Sequence, residues 1–297
     1  MPRIPILASR QGWHTDELRR ALADEGHEGV VVCYESMVAR AGSLSGLRAG
    51  GSEAGAVELD AAPAVLARIV PAGSLEQIIF RVDALHRLED RGVRVLNSPG
   101  AIERTVDKFY TTSLLERAGL PTPETFVCED PDEAIACFRA LGDAIVKPLF
   151  GSMGLGMVRV SDEETAWRVF RAVEQIRGVF YLQRTVPHTG RDVRAFVIGD
   201  RVLAAIERAA DGWRTNVSRG ARARPIELPP AWAELAVRAA RVVGAEYAGV
   251  DLLPAEDGTV YVLEVNGIPG WRGLQTATGV DVAGALVHHL LGASVRG

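Results

Sequence analysis

Asp251, Glu264 and Asn266 are oxygen-bearing side chains that one hairpin would bring to a single face. Asp257-Gly258 lies between two apolar runs and reads as a two-residue turn, because both residues tolerate positive φ. With that turn Asp251 stands opposite Glu264, and Asn266, two residues further on, shares the face of Glu264. Carboxylates facing each other across a sheet repel, so something positive is expected between them. An all-oxygen set suits a hard cation such as Mg²⁺, which keeps some water and takes phosphate oxygens to complete its shell. The plain alternative is an exposed hairpin with solvated acids, and Pro254 is placed where it would shift the register.

Lys108 and Lys147 are the only lysines in a chain rich in arginine. A compact ammonium serves as a point charge on phosphate; the alternative is a surface lysine with a snorkelling stem. Lys147 ends an apolar strand and precedes the loop Gly151-Ser152-Met153-Gly154-Leu155-Gly156. Closely spaced glycines let backbone N–H groups approach phosphate oxygens. No Gly-Lys-Ser/Thr follows, so this is not a Walker-type loop, and a strand follows it where a dinucleotide fingerprint needs a helix. It reads as a flap between strands that closes over a triphosphate, or as a plain turn.

Asp192 and Arg194 share one face of a strand. Asp192 is suited to accept a ribose hydroxyl and Arg194 to face a developing anion; the alternative is a surface ion pair, which contributes little to stability. The stretch Trp213–Arg224 collects Arg214, Arg219, Arg222 and Arg224 around Thr215 and Asn216. Arginine forks grip carboxylates and phosphates, which suits an acidic substrate or a γ-phosphate, or else a solvated loop. The six histidines and three cysteines (Cys33, Cys128, Cys137) form neither a metal-ligand pattern nor a base–nucleophile pair.

A chain of 297 residues with 47% hydrophobic and 24% charged residues is a globular protein of two or three domains. Net charge of −5 with scattered basic residues argues against nucleic-acid binding. The odd cysteine count, the lack of a membrane-spanning run and the lack of a signal pattern point to a cytoplasmic protein with no membrane partner.

These residues need a scaffold. Strands at Ile4–Ala8, Val30–Tyr34 and Val93–Leu96 alternate with helices, one capped by Thr15 and one opened by the Ser74/Gln77 capping box. That implies an α/β domain over 1–97, with a long loop at Arg40–Gly55 and turn chemistry at Asn97–Gly100. Arg68 and the segment Pro71–Gln77 are expected to face the active site. A helix over Thr105–Ala118 carries Lys108. Strands follow near Phe126, up to Lys147, at Met157–Val160 and at Phe180–Gln183, with helices at Asp132–Leu141 and from a Ser161/Glu164 capping box to Ile176. A hairpin around Gly199-Asp200, a helix over Pro230–Val243, the Asp251–Asn266 hairpin and a helix over Asp281–Leu291 complete an α+β second half.

In order, Lys108, Lys147-Pro148 with its glycine loop, Asp192, Arg214-x-Asn216, Asp251 and Glu264-x-Asn266 resemble the ATP-grasp superfamily, and within it the RimK-like α-L-amino-acid ligases. The likeness is carried by SPGAIERTVDK, VKPLFGSMGLGM, RDVRAFVIGDRVLAAIER, WRTNVSRG, AGVDLL and LEVNGIPG with TGVDVAG. It implies an ATP-grasp fold of class α/β and α+β: a pre-ATP-grasp α/β domain (1–97) and two α+β lobes (98–182 and 183–297) that clamp ATP. It implies that Lys108, Lys147 and the Gly151–Gly154 flap contact phosphates and that Gln183, Arg184, Thr185 and Val186 face the adenine. Asp192 with Arg214, Thr215 and Asn216 would bind nucleotide or phosphate. Asp251, Glu264 and Asn266 would hold two Mg²⁺ (or Mn²⁺), with Glu264 bridging. Arg184-Thr185 replaces the Glu-aromatic pair frequent in relatives, which leaves backbone contacts to the adenine.

The implied reaction activates a carboxylate as an acyl phosphate, which an amino acid's amine then attacks to form an amide. The substrate is the nucleophile, so the protein needs clamps for transferring charge, with Arg194 and Arg214 as the catalytic candidates. L-Glutamate is the expected amino acid. The expected acceptor is a small coenzyme of pterin or furan type or a protein tail, and a homo-oligomer is compatible. Two other classes remain: a non-catalytic ATP sensor on the same fold, and a kinase that stops at phosphoryl transfer.

Overall fold

Apolar runs too short for helices make the first sheet. The structure, a computed structural model, describes residues 1–42, 45–51, 55–151, 154–209 and 222–293. β1 (Arg3–Ala8) is buried along five consecutive residues, so both its faces are covered. After α1 (Trp13–Asp24) it pairs in parallel with β2 (Glu28–Cys33). Then come β3 (Val38–Arg40), β4 (Gly46–Gly51) and β5 (Gly55–Glu58), a small antiparallel sheet of its own. β6 (Ala64–Ala67), α2 (Leu75–Asp90) and β7 (Arg94–Leu96) complete the parallel sheet in the order β2-β1-β6-β7.

The small sheet replaces the loop expected at Arg40–Gly55. Its inward face is Leu47 and Ala49 on β4 and Val57 on β5, all buried. A period of two carried by Leu and Ala among glycines is easily read as no period at all. Three boundaries also differ. α1 starts before Thr15, whose hydroxyl accepts from the Gly12 N–H at 2.8 Å. Tyr34 leaves β2 and begins a 3₁₀ turn. The helix expected over Thr105–Ala118 is two helices, α3 (Pro99–Val106) and α4 (Lys108–Arg117), because the Asp107 carboxylate accepts from the Tyr110 N–H at 2.9 Å and starts a new helix.

β8 (Thr125–Cys128), α5 (Pro131–Leu141), β9 (Ala144–Lys147), β10 (Val158–Val160), α6 (Glu163–Gln175) and β11 (Phe180–Arg184) form an antiparallel sheet in the order β10-β9-β11-β8. Phe138 of α5 and Phe170 of α6 bury against Val146, Phe180 and Leu182. Asp162, not Ser161, caps α6 by accepting from the Thr165 N–H at 2.8 Å.

β12 (Arg191–Ile198), β13 (Arg201–Ala209), β14 (Arg222–Pro225), α7 (Pro230–Val242), β15 (Tyr247–Pro254) and β16 (Val260–Asn266) give a second antiparallel sheet, ordered β14-β13-β12-β15-β16. Alanines of α7 cover one face. Phe196 and Tyr247 on the other face share a core with Ile4 and Leu18, with Trp271, and with α9 (Val282–Ala293), which follows the short α8 (Arg272–Thr278). The parallel sheet and the last lobe are thus built on common packing. Asn97, fully buried, stitches them further: its amide donates to Tyr247 O (2.7 Å) and Gly267 O (2.5 Å) and accepts from the Glu246 N–H (2.9 Å) and Tyr247 N–H (3.2 Å). No helix among the described residues is long and apolar enough to cross a membrane.

Candidate active site

The two antiparallel sheets face each other across a cleft lined from one side by Lys108, Lys147, Tyr181 and Gln183 and from the other by Asp192, Arg208, Asp251 and Glu264. Lys147 is the last residue of β9 and pairs with Tyr181 on β11. Its ammonium donates to Gln183 Oε1 and lies 6.0 Å from the Tyr181 ring centroid. Gln183 is fixed in turn, donating to Thr125 Oγ1 at 3.1 Å. Desolvation lowers the Lys147 pKa to about 8; Lys108 adds to the lowering, while Glu264 and Asp251 oppose it. Lys108, first residue of α4, donates to Leu149 O (3.2 Å) and Gly151 O (2.8 Å), and desolvation lowers its pKa as well. Two ammonium groups with depressed pKa values and carbonyl or amide partners make a place where an anion is favoured.

The opposite wall is a chain of charges set by register. Arg194 on β12 stands directly across from Asp251 on β15, and Asp192 across from Arg208 on β13. Arg194 holds Asp251 with two prongs, Nε to Oδ1 and Nη2 to Oδ2, both 2.7 Å. Arg208 donates from Nε to Asp192 Oδ1 at 2.7 Å and from Nη2 to Asp192 Oδ2, and its Nη2 also lies 3.1 Å from Asp251 Oδ2. All of Asp192, Arg208 and Asp251 are buried. Burial pushes the Asp251 carboxyl up, but Arg194 and Arg208 outweigh it and hold the pKa below the usual carboxylate range.

Asp251 and Glu264 are direct cross-strand partners, as the sequence predicts. The route differs. Between β15 and β16 the Ala255 N–H donates to Thr259 O, which closes a three-residue turn (256–258), and a bulge beside Asp251 restores the pairing. One extra residue in the turn and one in the strand cancel. Asn266 completes the patch, with its amide nitrogen turned to Glu264 Oε1 and its oxygen to Arg194 Nη2, both at 3.1 Å. The positive charge beside Asp251 comes from Arg194 and Arg208.

Lys108, Lys147, Gly151, Gly154, Gln183, Arg184, Thr185, Val186, Asp192, Asp251 and Glu264 therefore meet at one cleft. Arg194 and Asn266 adjoin it through Asp251 and Glu264. Ser152, Met153, Arg214, Thr215 and Asn216 lie outside the described residues, as does Arg219. Three contacts bear on the expected roles. Both Asp192 oxygens accept from Arg208, so a ribose hydroxyl would share the carboxylate with that arginine. Asp192 and Arg194 do not pair with each other, because each has an oppositely charged partner straight across a neighbouring strand. Arg184 turns to Glu124 and to Leu141 O, and the Thr185 hydroxyl donates to Asp143 Oδ1.

Sequence reasoning missed Arg208, and Gln183, expected at the adenine, also holds Lys147. A two-residue turn at Gly199-Asp200 sets Asp192 opposite Glu207; a bulge between Phe196 and Val197 moves it opposite Arg208 instead. His188 also lines the cleft, its pKa lowered by burial. No group of three or more His, Cys, Asp or Glu side chains arranged for a metal occurs among the described residues. A cation held by two carboxylates and an amide would thus depend on oxygens from a bound phosphate.

Residues 105–290 match the family model for the RimK-like ATP-grasp domain. The chain is 35% identical over 267 residues to tetrahydromethanopterin:alpha-L-glutamate ligase of Methanosarcina acetivorans, covering 80% of this chain and 82% of that protein. It is 31% identical over 294 residues to the enzyme of the same name from Methanococcus maripaludis, covering 97% and 98%. Among solved structures, the ATP-grasp ligase PsnB complexed with minimal precursor, Mg and ADP superposes with a TM-score of 0.75 at 25% identity, over 99% of this chain and 98% of that one.

Proposed function

This chain belongs to the RimK-like ATP-grasp family, and on that footing we propose that it is an ATP- and Mg²⁺-dependent ligase that joins L-glutamate, or another α-amino acid, to a carboxylate on a small coenzyme. Its fold is the ATP-grasp fold. The observation that carries the reading is the convergence of Lys108 and Lys147 with Asp251 and Glu264 on opposite walls of one cleft.

In this reading the triphosphate lies between the walls. Lys147 and Lys108 neutralise its oxygens, and the segment around Gly151 and Gly154 covers it. Asp251, Glu264 and Asn266 would hold the divalent cations. The donor set fits, being all oxygen, and a cation there would share Asp251 with Arg194 and Arg208. The metal supplies positive charge at the transferring phosphoryl group. The acceptor's carboxylate attacks the γ-phosphorus, ADP leaves, and the acyl phosphate is opened by the amine of the amino acid with release of phosphate. Arg194 sits beside the metal patch, where charge develops. Relatives named for tetrahydromethanopterin favour a pterin-like coenzyme as acceptor; PsnB, also solved with its precursor peptide PsnA2, makes a peptide the second candidate.

The test is ADP and phosphate release with L-glutamate plus coenzyme or peptide acceptors, with the product identified by mass. ADP formation that requires both substrates and Mg²⁺ supports a ligase. Nucleotide binding without turnover for any pair points to a sensor, and a phosphorylated product that accumulates points to a kinase.

A further inference from the structure

The parallel sheet reverses its direction of winding between its two central strands. From β1 the chain moves outward to β2, and from β6 it moves outward the other way to β7. Ligands of open α/β sheets bind in the crevice beyond the carboxyl ends of the strands at such a reversal. Here that crevice lies after Ala8 of β1 and Ala67 of β6.

Two arginines occupy it. Arg68 and Arg81 are 6% and 5% exposed. Arg68 donates to Tyr247 Oη and Pro269 O, both at 3.1 Å, and lies over the Trp271 ring at 4.6 Å. Arg81 donates to Pro71 O at 2.8 Å and Ala72 O at 3.4 Å. Neither has a carboxylate partner among the described residues. A guanidinium carries five donors, and a buried charge without a counter-ion is costly. The other groups present share the same sign of demand. Trp271 is fully buried, and its indole N–H has no acceptor among the described residues. The N-terminus of α1 opens here, at Trp13. Arg272 reaches in from the last lobe, 5.7 Å from the Trp13 ring. His14 accepts from the Trp271 backbone N–H at 3.1 Å and stays uncharged, its pKa lowered to about 4 by burial, then by Arg68 and Arg272. Donors and positive charge converge, and among the described residues Arg68 and Arg81 meet only neutral acceptors while the Trp271 indole N–H meets none.

We propose that Arg68, Arg81 and Arg272, with the N-terminus of α1, form an oxyanion subsite that holds a carboxylate or phosphate of a substrate. As a substrate subsite it rests on the ligase reading above; as a binding site it does not. Its place relative to the cleft is fixed by covalent geometry. Pro269, which Arg68 holds, is three residues beyond Asn266, at most ~11 Å along the chain. Pro269 also packs on Gly249, where an added Cβ would meet Pro269 Cβ at 3.0 Å and Arg194 Cδ at 3.7 Å. A molecule anchored by its anion at the arginines therefore extends toward Arg194 and the metal patch.

Titration calorimetry on the full chain with a non-hydrolysable ATP analogue and Mg²⁺ tests this, using glutarate and inorganic phosphate as separate probes. Glutarate stands for an amino-acid or acceptor carboxylate and phosphate for a phosphorylated coenzyme. At least one probe should bind saturably, and Arg272→Gln, Arg68→Gln and Arg81→Gln should each weaken it about tenfold or more, with affinity for the ATP analogue unchanged. Arg272 is exposed, so its variant keeps the test open should a buried variant fail to fold. Absence of saturable binding for both probes, or affinity unchanged in Arg272→Gln and in whichever buried variants fold, overturns the proposal. Turnover without such binding sinks the subsite and spares the ligase; binding without turnover for any substrate pair does the reverse.

Discussion

Arg194 grips Asp251 through two parallel hydrogen bonds of 2.7 Å across β12 and β15. This pair, with Arg208, balances the charge of Asp251 where it stands across from Glu264. A cation entering the site would share Asp251 with these arginines.

Arg208 should matter more for folding than Arg194, because it is buried between two acids. Arg208→Met leaves Asp192 with neither prong and Asp251 with one arginine. Uncompensated buried charge of this kind costs about 3–5 kcal/mol. Chemical denaturation should show that loss, whereas Arg208→Lys should recover part of it without the fork geometry. Equal stability of the wild type and the Met variant would mean that the network contributes nothing.

Glu264→Gln should separate chemistry from folding. It keeps the shape and removes one metal-side charge at a half-buried position. Turnover should fall on the order of 10²-fold or more, with the Mg²⁺ concentration for half-maximal rate rising. The melting temperature should move by less than about 4 °C. A variant with normal kinetics and normal Mg²⁺ dependence would remove Glu264 from the active site.

Lys147 links nucleotide binding to pH in a way the free protein opposes. The lysine ionises near 10.5 when unperturbed and at about 8 here. Between those values the unfolded chain binds the proton and the folded chain does not, so this group's contribution to stability rises with pH over that window. Affinity for an ATP analogue should do the opposite, falling above pH about 8 as the ammonium discharges, by at most about tenfold per pH unit. Calorimetric affinities and melting curves from pH 7 to 9.5 check both trends. Lys147→Met should flatten both.

Asn97→Ala should be among the most damaging neutral substitutions. It strands the Glu246 and Tyr247 N–H groups and the Tyr247 and Gly267 carbonyls. Unpaired buried polar groups cost about 1–3 kcal/mol each, less where water enters, so a total of about 3–5 kcal/mol is expected. Urea denaturation measures it. Because Gly267 follows Asn266, the variant that still folds should also show weaker Mg²⁺ dependence; an unaltered metal requirement would separate the tie from the site.

The chemistry-bearing residues were legible because their signals are local. Two lysines, a glycine loop after a strand, and an Asp, a Glu and an Asn at strand spacing can be read without neighbours, and so can a parallel sheet from alternating apolar runs and helices. What the chain could not disclose alone was which charge meets which. A bulge between Phe196 and Val197 puts Arg208, not Glu207, opposite Asp192. An extra turn residue and an extra strand residue together keep Asp251 opposite Glu264. Arg68 came to rest between Trp271 and Pro269, far along the chain, with no acid beside it. Bulge positions and the partners of buried charges depend on packing between strands and lobes, which acts through space between residues distant in sequence, so only the tertiary structure decided them.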